Sequence, residues 1–307
     1  MSARTPRVLV VYKKSAYQLH VLERKDRRLL GLIRRGHADA LDMRQGHQVH
    51  RATLVAVVNS LRRIGVKFDL VYRANLLQAR ERYDLVVSVG GDGTLLQASH
   101  VVRDVPVLGV NSAPRRSEAV FCAASRENFE RLCRAALDGT LGSVRLFRLQ
   151  MALNGRPLLP LALNDILIAH GDPATMSRYR LKIGRRQEDQ KSSGLWISTA
   201  AGSSSAVRAA GGRRLNWTAQ SFLYQPRELY HGRLTQPRLT GGALPIREAL
   251  EVTSLMRDGM AFVDGPHIRY RLQFGDRLRI SLTPDHPLRV LGLRHRRPSA
   301  SAGNKES

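Results

Sequence analysis

Residues 86–96, Val-Val-Ser-Val-Gly-Gly-Asp-Gly-Thr-Leu-Leu, join an apolar run to three glycines and a carboxylate, and they predict how the first half of the chain folds. The run Leu85–Val89 is typical of a buried strand. The glycines allow a sharp turn and a close approach of the backbone to a ligand. Thr94 stands where the N-cap of a following helix is expected. Backbone amides at such a helix start favour an anion, so the stretch predicts a phosphate site.

Asp92 is the unusual residue of this turn. A carboxylate beside a phosphate is repulsive unless it holds a metal ion or takes a proton from a hydroxyl group. The alternative is an ordinary strand-to-helix turn with aspartate as a turn residue, although one glycine would suffice for that. The spacing is neither Gly-x-Gly-x-x-Gly nor that of a Walker P-loop. The sequence therefore predicts phosphate contacts from Gly90, Gly91, Gly93 and Thr94.

Strand and helix patterns alternate around this turn. Further strands are predicted at 7–12, 68–72 and 106–111, and helices from Ala16 into the 29–33 region, at 49–64 and at 125–137, with Ser125 as N-cap and a loop at 36–46. Such alternation with short turns predicts a doubly wound parallel α/β sheet. Ligands bind at the carboxyl edge of a sheet of this kind, where Asp92 and Asn111 are both expected.

From about residue 144 the long helical patterns disappear and strand patterns replace them. Strands are predicted at 144–153, 158–169, 178–183, 195–199, 251–254, 260–263, 268–274 and 277–282. We therefore predict an α/β domain at 1–143, a β-rich domain at 144–293 and a disordered tail at 294–307.

The composition favours a polyanionic partner. Lys and Arg number 50 against 25 Asp and Glu, a net charge of +25, and 43% of the residues are hydrophobic, enough for a packed core. Aromatic residues make up only 6%, which is a weak signal for base stacking on nucleic acid. No apolar run has the length of a membrane span, and no signal or transit peptide is expected ahead of the strand that begins near Arg7.

The cysteines and histidines do not predict a metal site. Cys122 and Cys133 suggest neither a disulfide framework nor a zinc site, and they favour a reducing, cytoplasmic setting. The ten histidines are scattered along the chain. His47 and His50 fall on one helix face, but no second ligand pair accompanies them, so we interpret them as surface residues.

Two stretches of the second half place polar groups inside strand patterns. Asn164-Asp165 lies in an apolar strand, where unsatisfied polar groups are costly. The pair would read donor and acceptor edges of a ligand such as ribose hydroxyls or a base, and a strand bend or bulge is the alternative. Residues 191–206 predict a strand, a loop of small hydroxyl residues and the start of a helix. The N-terminus of that helix would favour an anion. A flexible Ser-rich linker is the alternative. Asp264-Gly265 is first of all a hairpin turn, with a ligand role as the second interpretation.

Together these stretches resemble the NAD kinase family. Gly90-Gly91-Asp92-Gly93-Thr94 is similar to a signature that this family shares with lipid kinases and phosphofructokinases. Asn164-Asp165 is similar to the Asn-Glu pair that grips NAD, residues 193–206 to the family's Ser/Thr-rich stretch, and residues 263–265 to its late Asp-Gly turn. Residues 10–17, 109–118 and 190–194 resemble the mitochondrial-type branch, and the whole resemblance spans residues 7–293.

The resemblance implies that ATP, or polyphosphate, phosphorylates the 2′-hydroxyl of the adenosine ribose of NAD with Mg²⁺ or another divalent cation. It implies that Asp92 activates the hydroxyl or holds the metal ion. It also implies a homo-oligomer with sites near subunit contacts. No membrane partner is expected, because no membrane-binding apolar patch is apparent in the sequence. Phosphate contacts are then expected from Lys13, Arg115 and Arg116, and NAD contacts from Asn111, Asn164, Asp165, Ser193, Gly194, Thr199, Ser203, Ser204 and Ser205.

The chain departs from the family pattern at several positions. The family's glutamate is Asp165 here, one methylene shorter, and the aspartate that precedes Gly194 is Ser193. Residues 204–206, Ser-Ser-Ala, replace Thr-Ala-Tyr and remove an aromatic ring. The Ser-Ser-Gly version fits the mitochondrial-type branch, so we interpret it as a variant. The C-terminal helix that returns to the first domain in many members is not predicted after Leu293.

Two other functions stay open on the sequence alone. A lipid or sphingoid kinase would share the glycine signature, although Asn164-Asp165 and Ser193-Gly194 favour NAD as the acceptor. A catalytically weak nucleotide-binding or nucleic-acid-associated protein would account for the charge of +25. The sequence leaves the choice between NAD and NADH, the phosphate donor, the oligomeric state and allosteric control undetermined.

Overall fold

The first half of the chain forms parallel strands with helices on both faces of the sheet. The computed structural model describes residues 4–78, 82–233 and 236–293, and the predicted tail at 294–307 lies outside the described residues. The strands are β1 (Arg7–Tyr12), β2 (Lys67–Tyr72), β3 (Leu85–Gly90), β4 (Val107–Asn111) and the short β5 (Cys122–Ala124). The helices are α1 (Arg27–Arg34), α2 (Ala38–Ile64), α3 (Asp92–Ser99) and α4 (Phe129–Leu137).

The parallel strands lie in the order β4-β3-β1-β2. β1, β3 and β4 are buried along most of their length, whereas β2 at the edge is partly exposed. Because neighbouring residues of a strand point to opposite faces, β1 contributes to two separate cores. Val8 belongs to a buried cluster with Val57 of α2, and Leu9 belongs to another with Leu95 of α3. Helices on both faces confirm the predicted doubly wound α/β arrangement.

The predicted helix from Ala16 is interrupted. A π-helical turn, Tyr17–Glu23, is separate from α1, because Lys25 adopts a left-handed conformation with φ of 52°. Asp26 then begins a new helix by accepting hydrogen bonds from the amides of Arg28 and Leu29, the second and third residues of α1, as an N-cap does.

Two other boundaries in the first half were predicted wrongly. The predicted loop at 36–46 is mostly helical, since α2 begins at Ala38. The predicted N-cap Ser125 lies ahead of α4, whose N-cap is Asn128. The Asn128 side chain accepts the Ser125 amide at 2.7 Å and so holds the approach to the helix in a turn.

The second half is rich in strands, as predicted, and its strands fall into two sheets. Its elements are β6 (Ser143–Leu153), β7 (Arg156–Ala162), β8 (Asp165–His170), β9 (Ser177–Ile183), β10 (Arg186–Ser192), β11 (Gly194–Ser198), the single-turn α5 (Ala206–Ala209), β12 (Ser221–Arg227), β13 (Gly242–Pro245), β14 (Ala249–Ser254), β15 (Gly259–Val263), β16 (Ile268–Leu272) and β17 (Arg277–Leu291). One sheet has the order β13-β12-β11-β8-β15-β16, and a shared apolar core joins it to β6, β9, β14 and β17.

The last strand ties the second half to the first. β17 pairs with β6 along most of its length and meets β4 in parallel at Val290. Leu288 and Val290 are buried in the same cluster as Leu9 and Leu95. The C-terminal strand therefore packs against the first half of the chain. The same sheet runs through both halves, and the domain boundaries stay a prediction. None of the helices among the described residues is long and apolar enough to cross a membrane.

Candidate active site

The glycine turn connects β3 to α3 at the carboxyl edge of the parallel strands. Gly91 is the N-cap of α3, which begins at Asp92, so the prediction of Thr94 as N-cap is wrong. Thr94 is the third residue of the helix, and its amide donates to the Gly91 carbonyl at 2.9 Å. Its side chain is buried against Gly90, where an added Cβ would lie 2.2 Å from Thr94 Oγ1. The threonine thus requires glycine at position 90.

The Asp92 carboxylate is held in place by backbone amides. Val120 N–H donates to Oδ2 and Phe121 N–H donates to Oδ1, each at 2.9 Å. An ionised carboxylate has about four lone-pair sites, so each oxygen keeps one for a ligand or a metal ion. The fixed orientation is what a group that must meet a substrate hydroxyl needs.

A cavity of about 350 Å³ brings Asp92 together with residues from the second half of the chain. Of the residues predicted from the sequence, Asn164, Ser204 and Ser205 line it with Asp92. Glu118 and Arg214 also line it and were not predicted as site residues, although Glu118 ends one of the stretches that resemble the family. Arg214 gave no sequence signal. The remaining lining residues are apolar: Leu96, Val120, Phe121 and Ala201.

Asn164 and Asp165 lie at a sharp bend, so the prediction of one strand over 158–169 is wrong. β7 ends at Ala162 in one sheet and β8 starts at Asp165 in the other. Asn164 Nδ2 donates to Asp165 Oδ2 at 2.8 Å and to Ser205 Oγ at 3.0 Å. Burial, reinforced by the nearby Asp264 carboxylate, raises the pKa of Asp165 to about 7.

Groups on both sides hold this bend. The amides of Leu163, Asn164 and Asp165 donate to the Asp264 carboxylate at 2.9, 2.7 and 3.1 Å. Thr199 Oγ1 donates to the Leu163 carbonyl at 2.6 Å. Asp264 does occupy the predicted hairpin turn, between β15 and β16, and its side chain is fully buried. Its contacts add a role in shaping the candidate site that the hairpin pattern did not reveal.

Two of the predicted NAD contacts have hydroxyls that are already used by the protein. Thr199 and Ser203 are buried and do not line the cavity. Ser203 Oγ donates to the Ala200 carbonyl at 2.7 Å, and Thr199 Oγ1 also accepts the Gly202 amide at 3.0 Å. They fix the loop that carries Ser204 and Ser205.

Ser193 and Gly194 lie at the opposite end of β11 from the cavity. Ser198 is the β11 residue that pairs with Asp165. Ser193 is five positions away, about 17 Å along an extended strand. The structure of the single chain therefore does not bring Ser193 and Gly194 to Asp92, and their contact with NAD stays a prediction.

Of the predicted phosphate-binding cations, Lys13 lies after β1 at the carboxyl edge. It is half-buried, and burial together with the nearby Arg73 lowers its pKa. Arg115 is exposed. The Arg116 guanidinium binds Asp42 of α2 and donates to the Asp42 carbonyl at 2.8 Å, so it is engaged away from the glycine turn.

Asn111 shapes the loop that follows β4. Its Nδ2 donates to the Ser117 carbonyl and its Oδ1 accepts the Ala113 amide, both at 2.9 Å. It lines a different cavity of about 330 Å³, which lies beside Pro114 and α2. The predicted NAD contact from Asn111 is therefore not part of the Asp92 cavity.

The interpretation of the histidines as surface residues is wrong for two of them. His50 is 3% exposed and bridges two loops at the sheet edge. Its Nε2–H donates to the Lys13 carbonyl at 2.7 Å, so its Nδ1 accepts the Ser112 hydroxyl at 2.8 Å. His47 is also buried, with Nδ1 2.9 Å from Ser15 Oγ. The buried face of α2 thus includes two histidines, which the spacing of apolar residues does not indicate.

The cavity suits a magnesium ion that arrives with phosphate. Among the described residues, no group of three or more His, Cys, Asp and Glu side chains is arranged to hold a metal ion. Asp92 and Glu118 nevertheless offer carboxylate oxygens to one cavity. Mg²⁺ characteristically takes one or two protein carboxylates and completes its shell with phosphate oxygens and water, so these donors fit.

Comparison with known proteins agrees with this geometry. The family described as the ATP-NAD kinase N-terminal domain matches residues 35–139. The probable NADH kinase of Oryza sativa is 35% identical over 256 residues, which are 76% of this chain and 79% of that protein. Human mitochondrial NAD kinase 2 is 30% identical over 253 residues, 65% of this chain and 57% of that protein. The chain belongs to the NAD kinase family, and the expected resemblance to the mitochondrial-type branch is confirmed.

Two solved structures share the fold. An NAD kinase from Archaeoglobus fulgidus in complex with ATP aligns with a TM-score of 0.64 at 21% identity, over 94% of each chain. Yeast NADH kinase in complex with NADH aligns with a TM-score of 0.65 at 15% identity, over 94% of this chain and 84% of that one. The predicted fold class, an α/β part followed by a β-rich part, is confirmed. The sequence relatives, rather than the shared fold, identify the protein as a kinase of the NAD(H) kinase type.

Proposed function

We propose that this protein transfers the γ-phosphoryl group of ATP to the 2′-hydroxyl of the adenosine ribose of NAD or NADH. The observation that carries the proposal is the cavity in which the fixed Asp92 carboxylate lies with Asn164 and Ser205. The glycine turn offers the N-terminal end of α3, which favours an anion such as phosphate, and the Asn164–Asp165 pair offers polar groups to a ribose. No feature of the described residues favours a lipid acceptor over a dinucleotide.

In this proposal the 2′-oxygen attacks the γ-phosphorus, the bond from that phosphorus to the β-phosphate oxygen breaks, and ADP leaves. The hydroxyl proton passes to an oxygen of Asp92, which the Val120 and Phe121 amides hold in one orientation. Mg²⁺, held by the ATP phosphates with Asp92 or Glu118, would neutralise phosphate charge. Asn164 and Ser205 orient the ribose, and the apolar wall that includes Leu96 and Phe121 excludes water.

The names of the relatives differ in the acceptor substrate that they specify. The rice protein bears the name NADH kinase and the human one NAD kinase, and the yeast structure contains NADH. We include both oxidation states in the proposal, because the proposed contacts are with the adenosine ribose and not with the nicotinamide. ATP is the proposed donor, with polyphosphate as the competitor to test. A homo-oligomer and a cytoplasmic location remain predictions.

The test is formation of NADP or NADPH by the purified chain with Mg²⁺, with ATP or polyphosphate as donor and NAD or NADH as acceptor. Asp92→Asn should lower kcat by about 100-fold or more, as expected when a general base is lost. NADH binding, followed by its fluorescence, should change only a few-fold because the side-chain shape is kept. The exposed Asp138→Asn is the matched control.

Two outcomes would contradict the proposal. Absence of product from the wild type with every donor and acceptor pair would rule out the kinase activity. Retention of full kcat by Asp92→Asn would rule out the proton-accepting role. Tight DNA binding with a steep salt dependence and no product would instead favour the nucleic-acid-associated alternative.

A further inference from the structure

The buried Asp264 carboxylate has one donor that does not come from the bend it holds. Besides the three amides of residues 163–165, His100 Nε2–H donates to Asp264 Oδ2 at 2.9 Å. The Asp264 side chain is fully buried and that of His100 is 10% exposed. A donor in so dry a place fixes the acceptor strongly, because water cannot replace it.

His100 connects Asp264 to the glycine turn. It is the C-cap residue of α3, and Asp92 is the first residue of the same helix. The eight residues of α3 span about 12 Å, with Asp92 at the start of the helix and His100 just after its end. The His100–Asp264 hydrogen bond thus joins α3 to the bend that carries Asn164 and Asp165.

Anchoring α3 does not by itself require His100. The end of α3 is already held by Arg148, whose Nη1 donates to the Ser99 and Val102 carbonyls at 2.9 Å each. The buried Asp264, by contrast, lies beside a second carboxyl group, Asp165. The two carboxyl groups repel each other when both are ionised, which favours movement of Asp264 away from Asp165. The hydrogen bond from His100 opposes that movement and holds the Asp264 carboxylate in one position.

We propose that His100 is a positioning residue for the kinase reaction. Through Asp264 it fixes the backbone at 163–165 and sets the placement of the Asn164–Asp165 pair relative to Asp92. This inference rests on the proposed function for its kinetic consequence, and its structural part can be tested without catalysis.

Two readouts test it on His100→Leu, which removes the donor, and His100→Gln, which keeps an N–H at similar reach. Hydrogen exchange of the amides of residues 163–165 should be about tenfold faster or more in the leucine variant, the change expected when one buried hydrogen bond is lost. The dissociation constant for NADH should rise by a similar factor, while the KM for ATP stays near the wild-type value. The glutamine variant should restore both quantities to within about threefold.

His37→Leu is the matched control. His37 Nδ1 lies 3.8 Å from Asp39 Oδ2 in an exposed pair at the start of α2, so the change removes a histidine–carboxylate contact away from α3 and from the bend. It should leave the exchange at 163–165 and the NADH affinity unchanged. If His100→Leu fails to fold, His100→Asn takes its place, because its amide is too short to reach Asp264 and it keeps a polar side chain.

The inference is overturned if the donor-free variant exchanges these amides at the wild-type rate, or if His100→Gln is as impaired as His100→Leu. A wild type that forms no NADP(H) would contradict the proposed function alone, since the exchange measurement does not depend on turnover.

Discussion

Replacing Asp165 by asparagine should make the free energy of unfolding rise relative to that of the wild type as the pH increases. The carboxyl group is 5% exposed, and burial with the nearby Asp264 raises its pKa from 3.8 to about 7. Because the folded state holds this proton more tightly than the unfolded chain, the proton's stabilising effect is complete below pH 3.8 and is lost as the pH rises through about 7. Asparagine carries no such proton.

The size of the effect follows from the shift. A pKa change of about three units corresponds to about 4 kcal/mol in full, and about 2 to 3 kcal/mol of it falls between about pH 5 and pH 8. His50 acts in the opposite direction, because burial lowers its pKa from 6.5 to about 4. The contribution of His50 to the free energy of unfolding therefore increases by about 2 kcal/mol over the same pH interval. In the wild type, the contributions of Asp165 and His50 to the free energy of unfolding therefore nearly cancel over this pH interval. The difference in this free energy between Asp165→Asn and the wild type isolates the contribution of Asp165.

The assay is urea unfolding of the wild type, Asp165→Asn and the exposed control Asp138→Asn at several pH values from about 5 to 8. The free-energy difference between Asp165→Asn and wild type should shift in favour of the variant by about 2 to 3 kcal/mol across that range. Hydrogen bonds altered by the substitution add only a constant offset. A difference that depends on pH no more than that of the Asp138→Asn control would refute the account of a buried, protonated Asp165.

Two further substitutions test the packing around the site. His50→Leu should lower the free energy of unfolding by about 2 kcal/mol, because two buried polar partners lose their hydrogen bonds; urea unfolding measures it, and the exposed His267→Leu should change it by less than about 0.5 kcal/mol. Gly202→Ala should lower stability by about 2 kcal/mol and weaken NADH binding, because the added Cβ would lie 2.1 Å from the Asn164 carbonyl oxygen. Gly142→Ala, whose Cβ meets nothing within 4 Å, should be neutral in both assays.

Local patterns predicted the elements of the fold where neighbouring residues determine them. The apolar run before Gly90 became β3, and the alternation of strand with helix led correctly to a doubly wound sheet. Local patterns were misleading where a distant group intervenes. The strand predicted over 158–169 is divided because Asp264, about one hundred residues later, captures three successive amides. A sequence window does not contain such a partner.

The residues of the candidate site were also predicted only in part by local sequence patterns. Asp92, Asn164, Ser204 and Ser205 were predicted from motifs, and the structure places them around one cavity. Thr199 and Ser203 belong to the same motif, yet their hydroxyls face inward and hold the loop. A motif identifies which residue types a loop needs, but it does not separate those that meet a ligand from those that support the backbone.

The sequence by itself therefore determined the class of fold, the turn that carries the candidate base and, through its motifs, the family. Only the tertiary structure decided that β17 joins the two halves, that His50 is buried, and that His100 meets Asp264. The physical reason is that strand and helix patterns and glycine turns are short-range properties of the backbone, which nearby residues encode. Hydrogen bonds between buried side chains depend on which elements pack together, and the His100–Asp264 contact spans 164 positions of the chain.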